Sequence, residues 1–291
     1  MGLLGGQRMG NIRVVTDSCS GYPPDLATAD GVAVIPLTVR FGDENFRDGV
    51  EMTSEAFYQR LTTAPQLPST SQPSVGEFIT FFQQVVNEHK PDGILVVTLS
   101  QKLSGTYLSA CQAADLFRET PVKVIDSGTA SLPQHFAARA AARAAATGAT
   151  LEEAAQVARE VASGSVLYAT LDTLEYLHRG GRIGRAAAWA GALLQLKPVV
   201  TIKEGEIAPV TRVRTKPKAI EFILARLEEE IKPGRPLHMG VVHAATPGEA
   251  TALEKEVRQR FAPVDTVVSG LTPVMGTYGG PGVMGVAYYQ E

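Results

Sequence analysis

Ser104-Gly105-Thr106 falls between a run that reads as a buried strand, Ile94 to Leu99, and a helix-forming pattern that starts at Tyr107. The carboxyl end of a strand and the amino end of a helix therefore meet at Ser104. Helix amino termini carry unpaired backbone N–H groups and the positive end of the helix dipole, so a hydroxyl set among them favours an anion. In open parallel sheets, ligands sit outside the carboxyl ends of the strands. The chemistry expected at this turn is anion binding.

Three other turns are rich in hydroxyls or glycine. Thr70-Ser71-Gln72-Pro73-Ser74 precedes a helical pattern and reads as a helix cap or as a second anion contact. Asp17-Ser18-Cys19-Ser20 follows the first strand-like run and reads equally as an Asx or Ser turn. Gly180-Gly181-Arg182-Ile183-Gly184 reads as a helix stop and tight turn, with Arg182 either solvated or facing the same anion.

Other chemistries find less support. Ser104 as a nucleophile would need Gly at position 102 to make a hydrolase elbow, and that position is Lys102. The histidines at 89, 135, 178, 238 and 243 are scattered. His238 and His243 are five apart on a strand-like run, which points their rings to opposite faces, so no metal-ligand spacing emerges and no metal site is expected. Neither Gly-x-x-x-x-Gly-Lys-Ser/Thr nor a helix-opening Gly-x-Gly-x-x-Gly occurs. A small-molecule hydrolase or transferase working through Ser104 stays as the alternative.

The elements that must hold these turns alternate. Strands are expected at Ile12–Thr16, Val32–Val39, Ile94–Leu99 and Val122–Ile125, with helices over Ser54–Thr62, Val75–Glu88 and Ser104–Arg118. That order predicts an α/β/α domain with a parallel sheet. An alanine-rich helix, Gln134–Thr147, and a helix capped by Thr150 and Glu153 follow. Beyond Ala162-Ser163-Gly164 the pattern changes. A strand at Val166–Leu171 and a short helix broken at Gly180-Gly181 precede a hairpin, Val199–Lys203 and Ile207–Val213, turning at Glu204-Gly205-Glu206. Helices at Lys218–Ile231 and Pro247–Phe261 then alternate with strands at Leu237–Val242, Val264–Ser269 and Val283–Tyr289. The expected fold is two-domain α/β: a loosely held extension over 1–10, a parallel-sheet domain over 11–163 and a mixed-sheet domain over 164–291.

Composition agrees with a soluble globular chain. Of 291 residues, 44% are apolar and 20% charged, and the net charge of −3 gives no global reason to expect nucleic acid. Ala186 to Leu194, among the longest apolar stretches, is too short for a transmembrane span, and residues 1–10 lack the pattern of a signal peptide; Met9 is an alternative start. Cys19 and Cys111 make no disulfide framework, so a cytoplasmic location is expected.

Taken together, the turns resemble the DegV family of bacterial fatty-acid-binding proteins from about Ile12 to Tyr289. The resemblance rests on Thr16-Asp17-Ser18, Thr70-Ser71-Gln72-Pro73-Ser74 and Leu103-Ser104-Gly105-Thr106-Tyr107 in the first half. In the second it rests on Leu174-Glu175-Tyr176-Leu177, Gly180-Gly181-Arg182-Ile183-Gly184, Lys197-Pro198 and Arg212-Val213-Arg214-Thr215. It implies one long-chain fatty acid enclosed between two domains, with no other cofactor. Its carboxylate would be held by Thr70 and Ser104, and Ser18, Ser71, Gly105, Thr106, Arg182 and Tyr278 are the further candidates. It also implies a carrier without catalysis of its own, presenting the carboxylate to a separate ATP-dependent fatty-acid kinase that makes acyl-phosphate for phospholipid synthesis. One departure stands out: where the family commonly has His-Thr-Gly-Pro-Gly, this chain has Tyr278-Gly279-Gly280-Pro281-Gly282. Tyr278 donates one hydrogen bond but brings no cation.

A fatty acid needs a polar clamp and a dry tunnel. Burying roughly 14 to 16 methylenes at about 0.8 kcal/mol each gives on the order of 11 to 13 kcal/mol gross, so the tail sets affinity and the clamp sets orientation. Ile35, Phe57, Phe78, Ala190, Leu193 and Leu194 are candidates for the tunnel wall or for ordinary core, and Cys19 for a place near the ligand or a plain buried thiol. Arg182, Arg185, Arg212, Arg214, Lys216 and Lys218 form two basic clusters that are either a solvated face or a surface for the kinase.

Overall fold

The computed structural model describes residues 11–189 and 196–291; the tunnel candidates Ala190, Leu193 and Leu194 and the expected extension over 1–10 lie outside them. In the first half, β1 (Ile12–Asp17) leads through α1 (Pro24–Ala29) to β2 (Val32–Ile35), then to β3 (Thr38–Phe41), β4 (Glu44–Arg47), α2 (Ser54–Thr63) and β5 (Ser69–Ser71). There follow α3 (Val75–His89), β6 (Gly93–Thr98), α4 (Thr106–Leu116), β7 (Val122–Asp126), α5 (Leu132–Ala146) and α6 (Leu151–Gly164).

Four strands, in the order β2-β1-β6-β7, pair in parallel. Every residue of β6 is buried, because helices cover both faces of the sheet. Ile94 and Val96 point to a cluster with Phe78 and Phe82 of α3 and Ala110 of α4. Leu95 and Val97 point the other way, to the alanines of α5 and α6. Ser74 and Glu77 cap α3 reciprocally, as Thr150 and Glu153 cap α6.

The expected single strand Val32–Val39 is two strands in different sheets. Pro36, which has no N–H to give a ladder, separates β2 from β3. β3 then joins a small antiparallel sheet, β4-β3-β5. The helix expected from Ser104 begins at Thr106.

The second half contains β8 (Val166–Thr170), α7 (Glu175–Arg179), β9 (Lys197–Lys203), β10 (Glu206–Val213), α8 (Lys216–Glu230) and β11 (Leu237–His243). It ends with α9 (Pro247–Phe261), β12 (Asp265–Gly270), α10 (Pro273–Gly279) and β13 (Met284–Gln290). Its sheet runs β10-β9-β8-β13-β11-β12; β11 and β12 are parallel and the other neighbours antiparallel, a mixed sheet. Glu204 and Gly205 at the β9–β10 turn both have positive φ, 53° and 81°, as a tight hairpin turn requires. No helix among the described residues is long and apolar enough to cross a membrane.

One apolar cluster joins the halves. Leu37, Val39, Phe57 and Phe136 share it with Leu167, Val242, Leu271 and Tyr289. The cavity described next opens inside this cluster.

Candidate functional site

Ser104 ends a closed turn in which the N–H groups of Leu103 and Ser104 both donate to the Ser100 carbonyl, at 3.0 and 3.1 Å. Its hydroxyl accepts from the Thr106 N–H at 3.3 Å and lies 2.9 Å from Thr106 Oγ1. Gly105 is the residue just before α4 and brings the neighbouring turn close: a Cβ there would lie 2.9 Å from Gln72 Nε2.

Thr70 sits in the middle of β5, opposite Val39. Strand alternation turns its side chain inward and leaves Ser69 and Ser71 exposed. Thr70 Oγ1 is 2.5 Å from the Tyr278 hydroxyl. The Tyr278 ring lies against Gly180, where a Cβ would be 2.5 Å from Cδ1. The Arg182 guanidinium lies 5.1 Å from the centre of that ring, on its face, and donates to the Gly180 carbonyl at 2.9 Å and the Leu103 carbonyl at 3.2 Å. Thr70, Tyr278, Arg182 and Ser104 thus surround one polar opening.

Behind it lies a cavity of about 990 Å³, its opening to solvent included. Leu37 and Leu99 of the first half and Leu167, Leu171, Val242 and Val283 of the second make much of its wall. A polar end and an apolar interior suit an amphiphile with an anionic head.

Four of the expected site residues, Thr70, Ser104, Arg182 and Tyr278, line this cavity; Ser18, Ser71, Gly105 and Thr106 do not. Ser71 is on the outer face of β5. Gly105 and Thr106 support the turn, the latter fully buried with its hydroxyl on Ser104. The buried Ser18 hydroxyl is taken up by the Leu37 N–H at 3.1 Å. Of the tunnel candidates, Ile35, Phe57 and Phe78 are core residues away from the cavity, whereas Cys19 lines it. From the basic clusters only Arg182 reaches the cavity; Arg185 pairs with Glu204 and Glu206, Lys216 pairs with Glu249 and Arg212 stacks on Trp189.

Gln72, Ser131 and Met275 line the cavity unforeseen. Gln72 lies within a motif already singled out, while Ser131 and Met275 follow no recognisable signal. Beside the cavity, the buried Asp17 carboxylate accepts the N–H groups of Cys19 and Leu99, at 3.0 and 2.8 Å. Burial pushes its pKa up to about 6 against the pull of these hydrogen bonds.

The sequence profile described as "uncharacterised protein, DegV family" matches residues 11–291. The chain belongs to the DegV family. A DegV domain-containing protein of Streptomyces coelicolor is 38% identical, the match covering 95% of this chain and 97% of that one. Protein DegV of Bacillus subtilis is 32% identical over 96% of this chain and 99% of its own. Among solved structures, a Thermus thermophilus DegV family protein described for its fatty-acid binding superposes with a TM-score of 0.89 at 34% identity, over 97% of this chain and all of the other. Bacillus subtilis DegV, described as a fatty acid binding protein, gives 0.89 at 31% identity, with the same coverage. The DegV architecture of a parallel-sheet N-terminal region and a mixed-sheet C-terminal region is therefore the fold of this chain.

Proposed function

We propose that this DegV protein binds one long-chain fatty acid in the cavity between its two halves, with the carboxylate at Thr70 and Ser104. The observation that carries this reading is an apolar cavity that ends in two inward hydroxyls, with Tyr278 and a partly solvated arginine at the same end. The relatives described as fatty-acid-binding proteins support it. Hydrogen bonds to an ionised acceptor contribute about 1.5–3 kcal/mol each, largely offset by desolvation, so they fix orientation while the tail supplies affinity. We further propose a carrier role: Gln72 and Arg182 are exposed, so the carboxyl end faces the surface where a separate ATP-dependent kinase would phosphorylate it. Two free thiols, Cys19 and Cys111, suit a reducing, cytoplasmic setting. The division into units over 11–163 and 164–291 is part of the same proposal, as the second sheet takes all its strands from beyond Gly164.

Nothing in the geometry favours nucleophilic catalysis by Ser104. Its hydroxyl meets Thr106, and no histidine lines the cavity among the described residues. The decisive test is Thr70→Val combined with Ser104→Ala. Native mass spectrometry should show most of the co-purified fatty acid lost with the fold retained. Acyl-phosphate production by a fatty-acid kinase given this variant as its acyl source should fall in parallel. Lipid content equal to that of the unaltered protein would remove the clamp.

A further inference from the structure

The cavity has a second polar end. Ser131 precedes α5, lines the cavity and is 3% exposed, yet its hydroxyl has no hydrogen-bond partner among the described residues. Cys19 is its neighbour: the Ser131 N–H donates to the Cys19 carbonyl at 2.9 Å, and Cys19 also lines the cavity.

This end meets the second sheet on a different strand from the head clamp, while the Ser100 N–H, at the start of the Ser104 turn, donates to the Thr129 carbonyl two residues before Ser131, at 2.6 Å. The Ser104 turn is fastened to the β9–β10 hairpin, where Ser100 Oγ donates to the Gly205 carbonyl at 2.8 Å. Leu132, next to Ser131, packs on Gly240 of β11, where a Cβ would lie 2.9 Å from its Cδ1. From β9 to β11 the sheet order crosses β8 and β13, three strand spacings or about 14 Å.

The chemistry of the two ends also differs. Arg182 stands at the first. At the second, the buried Asp17 and Asp48 carboxylates act on Cys19, and burial with their influence pushes the thiol pKa well up, so it stays protonated. Pro133 removes one of the donors that the α5 N-terminus would offer an anion. A carboxylate is disfavoured there, and a neutral oxygen that accepts one hydrogen bond is suited.

We propose that Ser131, with Cys19 beside it, forms a distal subsite for a neutral oxygen, a hydroxyl or keto group, carried on the tail of an acyl chain whose carboxylate is at Ser104. The proposal rests on the fatty-acid reading above and deepens it by naming an oxygenated acyl chain as a ligand class. Ser131 and α5 together satisfy that oxygen, whereas a wholly apolar wall would reject it.

The test compares ricinoleic acid with oleic acid, which differ by one hydroxyl in the tail, by isothermal titration of delipidated protein. The unaltered protein should bind ricinoleate at least as tightly as oleate. In Ser131→Ala, the ratio of the two dissociation constants should move roughly tenfold towards oleate, the loss expected for one neutral hydrogen bond to a buried group. Ser131→Gly, which suits the φ of 61° at this position, should show the same change and guards against misfolding of the alanine variant. A ratio that stays constant while both affinities shift together would assign Ser131 a structural role and overturn the subsite. So would unaltered protein that prefers oleate. Failure to bind either acid would instead overturn the fatty-acid reading.

Discussion

The 2.5 Å contact between Thr70 and Tyr278 has two possible directions, and the choice decides what a ligand meets. When the phenol donates, the Thr70 proton is free for a carboxylate; when Thr70 donates, the phenol proton is the free one instead. A carboxylate held by Thr70, as proposed above, requires the first arrangement, and Arg182 lies over the phenol ring in either. A different buried group sets the acid stability. His135 is fully buried against Tyr22, its ring nitrogens without hydrogen-bond partners among the described residues, and burial lowers its pKa to about 3. Arg139 and Arg143 push in the same direction and Asp265 opposes them. A base whose pKa is depressed on folding contributes stability above its unfolded pKa and loses it as pH falls towards the folded value. Between about pH 7 and about pH 5, the unaltered protein should therefore lose about 2 kcal/mol relative to His135→Phe, measured by urea unfolding at both values. Parallel pH profiles for the two proteins would show that His135 takes up a proton in the native state. The same contrast explains what was legible. Thr70, Ser104 and Arg182 lie in short turn motifs and Tyr278 was named through the family resemblance; all four line the cavity. Ser71 shares a motif with Thr70, Ser18 lies in another of the turns singled out, and both miss the cavity. A motif names the turn, while burial and strand alternation choose which hydroxyl of it faces in.

At the scale of elements, long periodic segments behave as their patterns dictate. β6, α3, α6 and the β9–β10 hairpin form within a residue or two of expectation, because apolar spacing, capping boxes and the turn glycine agree there. α10 was not foreseen. It has only seven residues, with Gly276 and Gly279 among them, and it depends on contacts from other elements. The buried Asp48 carboxylate accepts the Val274 N–H at its start at 3.0 Å, and Tyr58 packs so closely on Gly276 that a Cβ there would lie 2.7 Å from the hydroxyl. Such long-range support leaves no local trace in the sequence. The β9–β10 hairpin gives a sharper test, since its tip is fastened to the Ser100–Ser104 turn. Gly205 has φ 81°, and a Cβ there would lie 2.6 Å from Ser100 Oγ. Gly234 has φ 80° with open space around it, so it isolates the backbone cost alone. Gly234→Ala should cost about 1 kcal/mol, and Gly205→Ala more, by displacing the tip from the Ser100–Ser104 turn. The extra loss should be accompanied by faster release of bound fatty acid. Equal effects of the two substitutions on unfolding and release would mean that the tip contact contributes nothing.

Across the whole molecule, the cavity requires two halves that stay together without closing around each other completely. The apolar cluster between them is interrupted by the cavity itself, so polar contacts at its margins carry part of the attachment. Arg139 of α5 is the clearest of these. It pairs with Asp30 at 2.9 Å on its own half and with Asp265 of β12 at 3.0 Å on the other. Asp265 also accepts from Arg143 at 3.2 Å and pairs with His238 at 2.8 Å. Burial alone would raise the Asp265 pKa, but His238 and the two arginines outweigh it and bring the value down to about 2. Asp265 thus stays ionised at neutral pH and depends on its partners. Arg139→Leu preserves the aliphatic bulk but removes the shared cation, leaving Asp30 with the Tyr22 hydroxyl and Asp265 with Arg143 and His238. Breaking a fully buried pair costs about 3–5 kcal/mol, and the partial exposure of this one reduces the expected loss to about 2 kcal/mol. Where that loss appears is the informative part. If the shared core makes the halves one cooperative unit, hydrogen exchange should quicken by a common factor in β6 and β11, the protected centres of the two sheets. Faster exchange in β11 with β6 unchanged would show that the first half is stable by itself and that the second opens from it, the motion through which an acyl chain would enter.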